Sequence, residues 1–144
     1  MFALNWARQV IHILFREYAY RIPKNERLGV VMLFNSETGY LEEMHFNFTT
    51  FNSFSTIPVY LYRQIEVFLR MSFSEYQGSF PFNIEPTAEG RRMNFLFLGW
   101  HQDIHRCWDE HIWYHAASMG LDARSVSVES WLGEQQQRLE QQRQ

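Results

Sequence analysis

The chain has 144 residues, and its 46% hydrophobic and 20% charged residues are ordinary for one soluble globular domain. The formal net charge is −3, without the basic excess that duplex nucleic-acid binding requires, so this class is excluded. Cys107 is the only cysteine, which excludes an intramolecular disulfide framework and metal sites built from cysteine pairs.

Apolar runs in the sequence are too short for a membrane span. The run over 28–34 has seven residues, whereas crossing a bilayer takes about 20. Arg8, Gln9 and His12 interrupt the apolar N-terminal segment, which therefore does not have the pattern of a signal peptide. We expect a cytoplasmic protein that does not bind membranes.

The first predicted element is an amphipathic helix over 3–20, because apolar side chains recur there at helical spacing. The apolar stripe consists of Leu4, Ala7, Ile11, Leu14, Phe15 and Tyr18, and the opposite face carries Arg8, Gln9, Arg16 and Glu17. Pro23 and the polar run 24–27 end the helix.

A β-hairpin follows, with a turn over 35–39 between two predicted strands. The first, 28–34, is apolar on both faces, which places it inside a sheet. The second, 40–50, alternates between an apolar face and a polar face that carries Glu43 and His45. On this reading Glu42 and Glu43 point to opposite faces.

Pro58 fits the first turn of a second helix that runs to about Ser72. Its predicted buried residues are Leu61, Ile65, Phe68 and Leu69. Glu66 and Arg70 form an i,i+4 pair on this helix. The stretch 73–92 has no sustained period but carries aromatic residues, among them Tyr76, Phe80 and Phe82, which either pack onto the core or form a binding surface.

The third predicted strand, 93–100, is apolar on both faces and is expected to be central. A helix is predicted next, beginning within 101–107 and ending near Met119, followed by a short edge strand over 124–128 and a helix from Ser130. This order predicts an α+β fold: a single compact domain over 1–132, with a small antiparallel or mixed sheet of about three to four strands covered by helices. Residues 133–144 are predicted to be a polar Gln/Arg/Glu-rich helix end or tail.

The densest polar segment is 101–115. On a helix, the i,i+4 spacing of its histidines would place them in pairs that could share a metal ion, namely His101 with His105 and His111 with His115. Neither pair has the glutamate of the zincin motif, so a packed helix surface is favoured over a metal site for these histidines. Cys107 could act as a nucleophile with a nearby histidine, but buried cysteines are common and nothing local except Arg106 would lower its pKa.

Two functional hypotheses follow. The first is a non-enzymatic protein-binding module, such as a small cytosolic inhibitor or immunity-type protein that occludes a partner, for example a toxin. The chain has twelve arginines but one lysine, Lys24, and it is rich in aromatic residues, a composition typical of interfaces. Acidic residues would steer it onto a basic site of the partner. The expected partner-binding residues are Glu42, Glu43, His45, Tyr76, Phe80, Phe82, Asp103, Asp109 and Glu110.

The second hypothesis is a metal-dependent or histidine-based enzyme or sensor. His101, His105, His111 and His115 would then be ligands or bases, oriented by Asp103 or Asp109. The first hypothesis is favoured because no complete catalytic or phosphate-loop motif is present. It predicts no cofactor, another protein as partner, and a monomer or homodimer.

Overall fold

The computed structural model describes residues 2–35, 38–48, 52–75, 95–106, 111–114 and 124–143. The helices are α1 (Phe2–Leu14), α2 (Val59–Arg70) and α3 (Val128–Gln142). The strands are β1 (Leu28–Asn35), β2 (Leu41–Asn47), β3 (Phe95–Gln102), β4 (His111–Tyr114) and β5 (Arg124–Ser127). The fold is α+β in a single compact domain, as predicted. No helix within these ranges is long and apolar enough to cross a membrane.

The central sheet is antiparallel, in the order β2-β1-β3, and β4 pairs antiparallel with β5. The prediction that the first strand lies inside the sheet is therefore confirmed. Its inner face buries alternate side chains, namely Leu28, Val30, Met32 and Phe34. Gly39, which has a positive φ of 76°, allows the tight β1–β2 connection because it has no side chain to clash there.

The prediction that the strand after residue 92 is central is wrong for the described part of the sheet. There β3 pairs with β1 alone, and its outer-face residues Phe95 and Phe97 are exposed. An apolar face on a strand shows only that burial is possible, since folded proteins leave much apolar surface in water.

The predicted first helix divides into two parts. α1 ends at Leu14, and a 3-10 helix, Arg16–Arg21, follows it. Gln9, predicted on the solvent side, is instead fully buried, and its amide has no hydrogen-bond partner within the described part of the chain. Helical spacing alone could not show this, because neighbouring elements cover more of α1 than its apolar stripe.

The helices pack into one core with the inner face of the sheet. Trp6 of α1 contacts Trp131 of α3 edge-to-face, with ring centroids 5.4 Å apart. The Trp6 indole N–H donates to Ser72 Oγ at 3.0 Å, and Ser72 in turn donates to the Phe68 carbonyl, so this buried polar chain ties α1 to the end of α2. The four buried residues predicted for α2 are confirmed, as is the Glu66–Arg70 pair at 3.1 Å.

The last two predicted elements are also present. The edge strand predicted over 124–128 is β5. The final helix begins at Val128, where the Ser127 side chain caps it by accepting from the Ser130 N–H. It continues through Gln142 and keeps Gln135 buried beyond the predicted boundary at 132.

Candidate functional site

The predicted partner-binding residues on β2 are exposed. Glu42, Glu43 and His45 all face solvent, and His45 Nε2 lies 3.2 Å from Glu43 Oε2. The pairing with β1 is irregular between Leu33 and Phe34, so Glu42 is an extra residue in the ladder. This bulge exposes both glutamates where a regular strand would send them to opposite faces.

The structure does not bring these residues together with Asp103. In the sheet Glu43 is level with Leu33 and Phe97, whereas Asp103 lies six residues beyond Phe97, just after β3 ends. Strand spacing and rise separate the two carboxylate-bearing residues by about 20 Å. The other predicted partner-binding residues, Tyr76, Phe80, Phe82, Asp109 and Glu110, lie outside the described residues.

The helix predicted to begin within 101–107 is wrong. β3 continues through Gln102, a turn follows over 103–106, and His111 begins the strand β4. The backbone at His101 and Gln102 pairs with Gly29 and Leu28 of β1, and such long-range pairing overrides a local helical period. The argument for shared metal ligands on one helix face therefore fails for His101 with His105. Cys107 and His115 lie outside the described residues.

His105 has a structural role in the turn. Its Nε2 donates to the Ile22 carbonyl at 2.7 Å, and His12 Nδ1 of α1 donates to the Ile104 carbonyl at 2.9 Å. Ile104 itself is buried, so the two histidines anchor the turn onto the N-terminal segment. In the described ranges no three metal-ligating side chains come together.

A cleft of about 230 Å³ opens beside this turn, at the end of β3. Its lining consists of Arg8, Arg27, His101, Gln102, Asp103 and Arg106. The three arginines come from α1, from the segment before β1 and from the turn, so only the fold brings them together. Sequence analysis missed them as a group; the excess of arginine over lysine was the one available signal.

The walls of the cleft are held by hydrogen bonds. Gln102 is buried, accepts from the Trp100 indole N–H at 2.7 Å and donates to the Arg8 carbonyl at 3.2 Å. The Arg27 guanidinium donates to two backbone carbonyls, at 2.6 and 3.2 Å, and lies 3.7 Å from the Asp103 carboxylate. The other Asp103 oxygen accepts from the His105 backbone N–H at 3.0 Å. These contacts fix the positions of Arg27 and Asp103.

A second candidate, the tyrosine–arginine surface, consists of Tyr18, Tyr20, Arg21, Val59 and Tyr60. The Tyr18 and Tyr60 hydroxyls are hydrogen-bonded, which joins the 3-10 helix to the start of α2 and raises the pKa of Tyr18. The Arg21 guanidinium lies 5.3 Å from the ring centroid of Tyr18 and 5.7 Å from that of Tyr20. Tyr20 is 79% exposed and Tyr60 60% exposed.

A packed aromatic cluster is formed by residues close in sequence to this surface. Phe15 and Tyr62 are near its centre, with ring centroids 5.8 Å apart, and Tyr62 also contacts Phe46 and Phe48 of the β2 segment. The Tyr62 hydroxyl donates to the Phe54 carbonyl at 2.7 Å. Burial raises the pKa of Tyr62 above its usual value. The two segments that carry the exposed tyrosines are therefore joined to each other through well-packed rings.

Comparisons with known proteins identify the family. Residues 7–100 match the family model described as Domain of unknown function (DUF5043). The fold is similar to that of a DUF5043 family protein from Bacteroides uniformis ATCC 8492, known from a crystal structure at 1.85 Å resolution, with a TM-score of 0.61 and 29% sequence identity. The match covers 72% of this chain and 53% of that protein, so this chain spans about half of the other's length. No curated protein matches the sequence. Because the family model covers more than half of its residues, the chain belongs to the DUF5043 family.

Proposed function

We propose that this DUF5043 family member is a non-enzymatic protein-binding module, and that the tyrosine–arginine surface is its principal contact. The supporting observation is the set of three tyrosines and one arginine arranged against one another, with Tyr20 and Tyr60 largely exposed. Tyrosine and arginine are, with tryptophan, the residues enriched at the energetic centres of protein interfaces. Exposed side chains that already contact each other lose little freedom when a partner binds.

The aromatic cluster in the same two segments supports the same proposal. A rigid base reduces the conformational entropy that association costs, and here Phe15 and Tyr62 tie both exposed elements to the core. The partner in this proposal is a cytoplasmic protein, with an apolar patch for the tyrosine rings and an acidic group for Arg21. Glu42 and Glu43 remain proposed steering groups for basic residues of the partner.

The test uses the full chain as bait in cells of its source organism. A photo-crosslinking amino acid replaces Tyr20 in one variant and the exposed Glu140 of α3 in another. We expect one discrete crosslinked protein from position 20 and none from position 140. Equal crosslinking from both positions, or none from position 20, would contradict the proposal.

A matched pair of variants then tests the residues themselves. The double variant Tyr20→Ser/Tyr60→Ser should lose capture of the crosslinked protein, whereas Val67→Ser, on an exposed site of the same helix, should retain it. If the partner is an enzyme or toxin, the wild-type chain should inhibit it and the double variant should not, which is the activity of an inhibitor or immunity-type protein. Capture that survives the double substitution would exclude this surface.

A further inference from the structure

We propose that the tyrosine–arginine surface binds a short linear segment of its partner, in which an aspartate or glutamate lies within a few residues of an apolar residue. The carboxylate accepts from the Arg21 guanidinium and the Tyr20 hydroxyl, and the apolar side chain packs on Val59 and Tyr60. This inference rests on the proposed function, because it names the chemistry of the segment that the same surface binds.

Arg21 carries a positive charge that the described part of the chain does not pair. Three other arginines, Arg16, Arg27 and Arg70, each lie within 4 Å of a carboxylate, at 2.6, 3.7 and 3.1 Å. Arg21 is exposed, and among the described residues its contacts are a hydrogen bond and two aromatic rings. A carboxylate on the partner is the complementary group for such a cation.

The way in which Arg21 is held leaves most of its donors available. Its guanidinium lies over the Tyr18 ring, and within the described ranges it donates one hydrogen bond, from Nε to the Tyr20 hydroxyl at 3.2 Å. Arginine can stack on a ring while the N–H groups in its plane bind a carboxylate as a fork. Since the Tyr20 oxygen accepts from Arg21, its own O–H can donate to the same carboxylate. Arg21 and Tyr20 therefore form a two-residue carboxylate site.

Apolar surface lies close to this carboxylate site. Val59 is 69% exposed, and Tyr60 beside it is also largely exposed. Tyr18 joins the two parts of the surface, because Arg21 lies over its ring and its hydroxyl is hydrogen-bonded to that of Tyr60. An extended chain covers about 3.5 Å per residue, so a segment of a few residues spans one such ring.

The size of the surface favours a short segment over a broad folded face. It consists of five residues on two short stretches of the chain, whereas a standard interface uses about 20–30 residues on each side. A short segment has few contacts from which to gain affinity. Its binding should therefore depend strongly on the one charged contact.

The net charge of the chain makes an acidic ligand informative. A protein with a net charge of −3 attracts basic peptides and repels acidic ones at long range. General attraction would consequently enrich basic peptides in an unbiased selection. Enrichment of acidic peptides requires a local cation such as Arg21.

The experiment is a selection from a phage-displayed library of random peptides with the full chain as bait. The peptides are fused through their C-terminal ends, so only side chains can supply a carboxylate. We expect the enriched peptides to share an aspartate or glutamate within a few residues of an aliphatic or aromatic residue. Arg21→Gln should not enrich them, whereas the matched control Arg143→Gln, which removes an exposed charge at the end of α3, should. No enriched motif, a motif without an acidic residue, or the same motif from Arg21→Gln would each overturn the proposal.

The most enriched peptide is then synthesised, and its Kd is measured by fluorescence anisotropy. Arg21→Gln should weaken binding roughly tenfold or more, as expected for hydrogen bonds to a charged group, and Tyr20→Phe should weaken it roughly threefold. A peptide with the amide in place of its acid should bind the wild type weakly and lose little more on Arg21→Gln. Such non-additivity identifies a direct contact, and fully additive losses would contradict one.

The two proposals can fail separately. Crosslinking from position 20 tests whether a protein partner exists, and the peptide selection tests which kind of segment the surface binds. A crosslinked protein without an acidic motif would overturn this inference and leave the protein-binding module intact. An acidic motif that depends on Arg21, without any crosslinked protein, would support the carboxylate site and contradict the proposed function.

Discussion

The two flanks of the central strand β1 are built by different physical means. On the β2 flank, α2 covers the sheet and aromatic rings fill the space between them, as at Tyr62 and Phe46, whose centroids are 4.9 Å apart. On the β3 flank, the end of the strand is held by polar contacts to backbone carbonyls, made by His12, Gln102 and His105. The first flank therefore stabilises the fold through buried rings, whereas the second lines a polar cleft.

The largest expected effect compares one phenylalanine from each flank. Phe15→Ala should lower the free energy of unfolding by about 3–5 kcal/mol, because Phe15 is fully buried among the rings of the β2 flank. Phe97→Ala should cost less than about 1 kcal/mol, because this β3 side chain is 68% exposed. Urea unfolding of both variants measures the contrast. Similar losses would mean that Phe97 is covered in solution.

The glycines of the sheet provide the next comparison. A Cβ added at Gly29 would lie 2.9 Å from the Asn47 carbonyl oxygen of β2, so Gly29→Ala forces β1 and β2 apart and should cost about 1–3 kcal/mol. At Gly99 of β3 the added Cβ would meet only ordinary contacts at 3.7 and 3.8 Å, and the same substitution should be nearly neutral. Thermal unfolding of the two variants checks this. A neutral Gly29→Ala would show that the β2 flank yields easily.

How well the sequence predicts each flank depends on how far apart in the chain its contacting residues are. The β2 flank joins neighbours in the chain. The turn over 35–39 and the alternation of the second strand predict the β1–β2 hairpin, and helical spacing predicts α2. The β3 flank depends on pairing Leu28 with Gln102, which sets Arg27 beside Asp103 across a long separation in sequence. A single sequence does not reveal that register, so the sequence pattern predicts a helix that begins within 101–107 and does not predict the arginine cleft.

Gln9 is a polar group in the helix α1 that supports the β3 end. Its buried amide lacks a partner among the described residues, so replacing it with the similarly shaped Met should raise the free energy of unfolding by about 1–2 kcal/mol. Gln102→Met is the control. It removes an amide of the β3 flank that is hydrogen-bonded on both sides and should destabilise the protein. Chemical unfolding measures both variants, and destabilisation by Gln9→Met would reveal a partner for its amide.

The smallest expected effect is the pH dependence that Tyr62 contributes on the β2 flank. Burial raises the pKa of Tyr62 in the folded protein above the usual value of about 10 for tyrosine, so the neutral phenol is favoured by folding. The contribution of Tyr62 to the free energy of unfolding is fully present below pH 10. It is lost as the pH rises from there towards the folded-state pKa, because the unfolded chain releases the proton first.

Tyr62→Phe should cost about 1 kcal/mol at neutral pH, through loss of the hydrogen bond to the Phe54 carbonyl, and should also flatten the decline in stability above pH 10. Urea midpoints of wild type and variant between pH 7 and pH 11 measure both effects. The exposed Tyr20→Phe is the control and should follow the wild type, so a decline that Tyr62→Phe leaves unchanged would place the alkaline sensitivity elsewhere than on this flank.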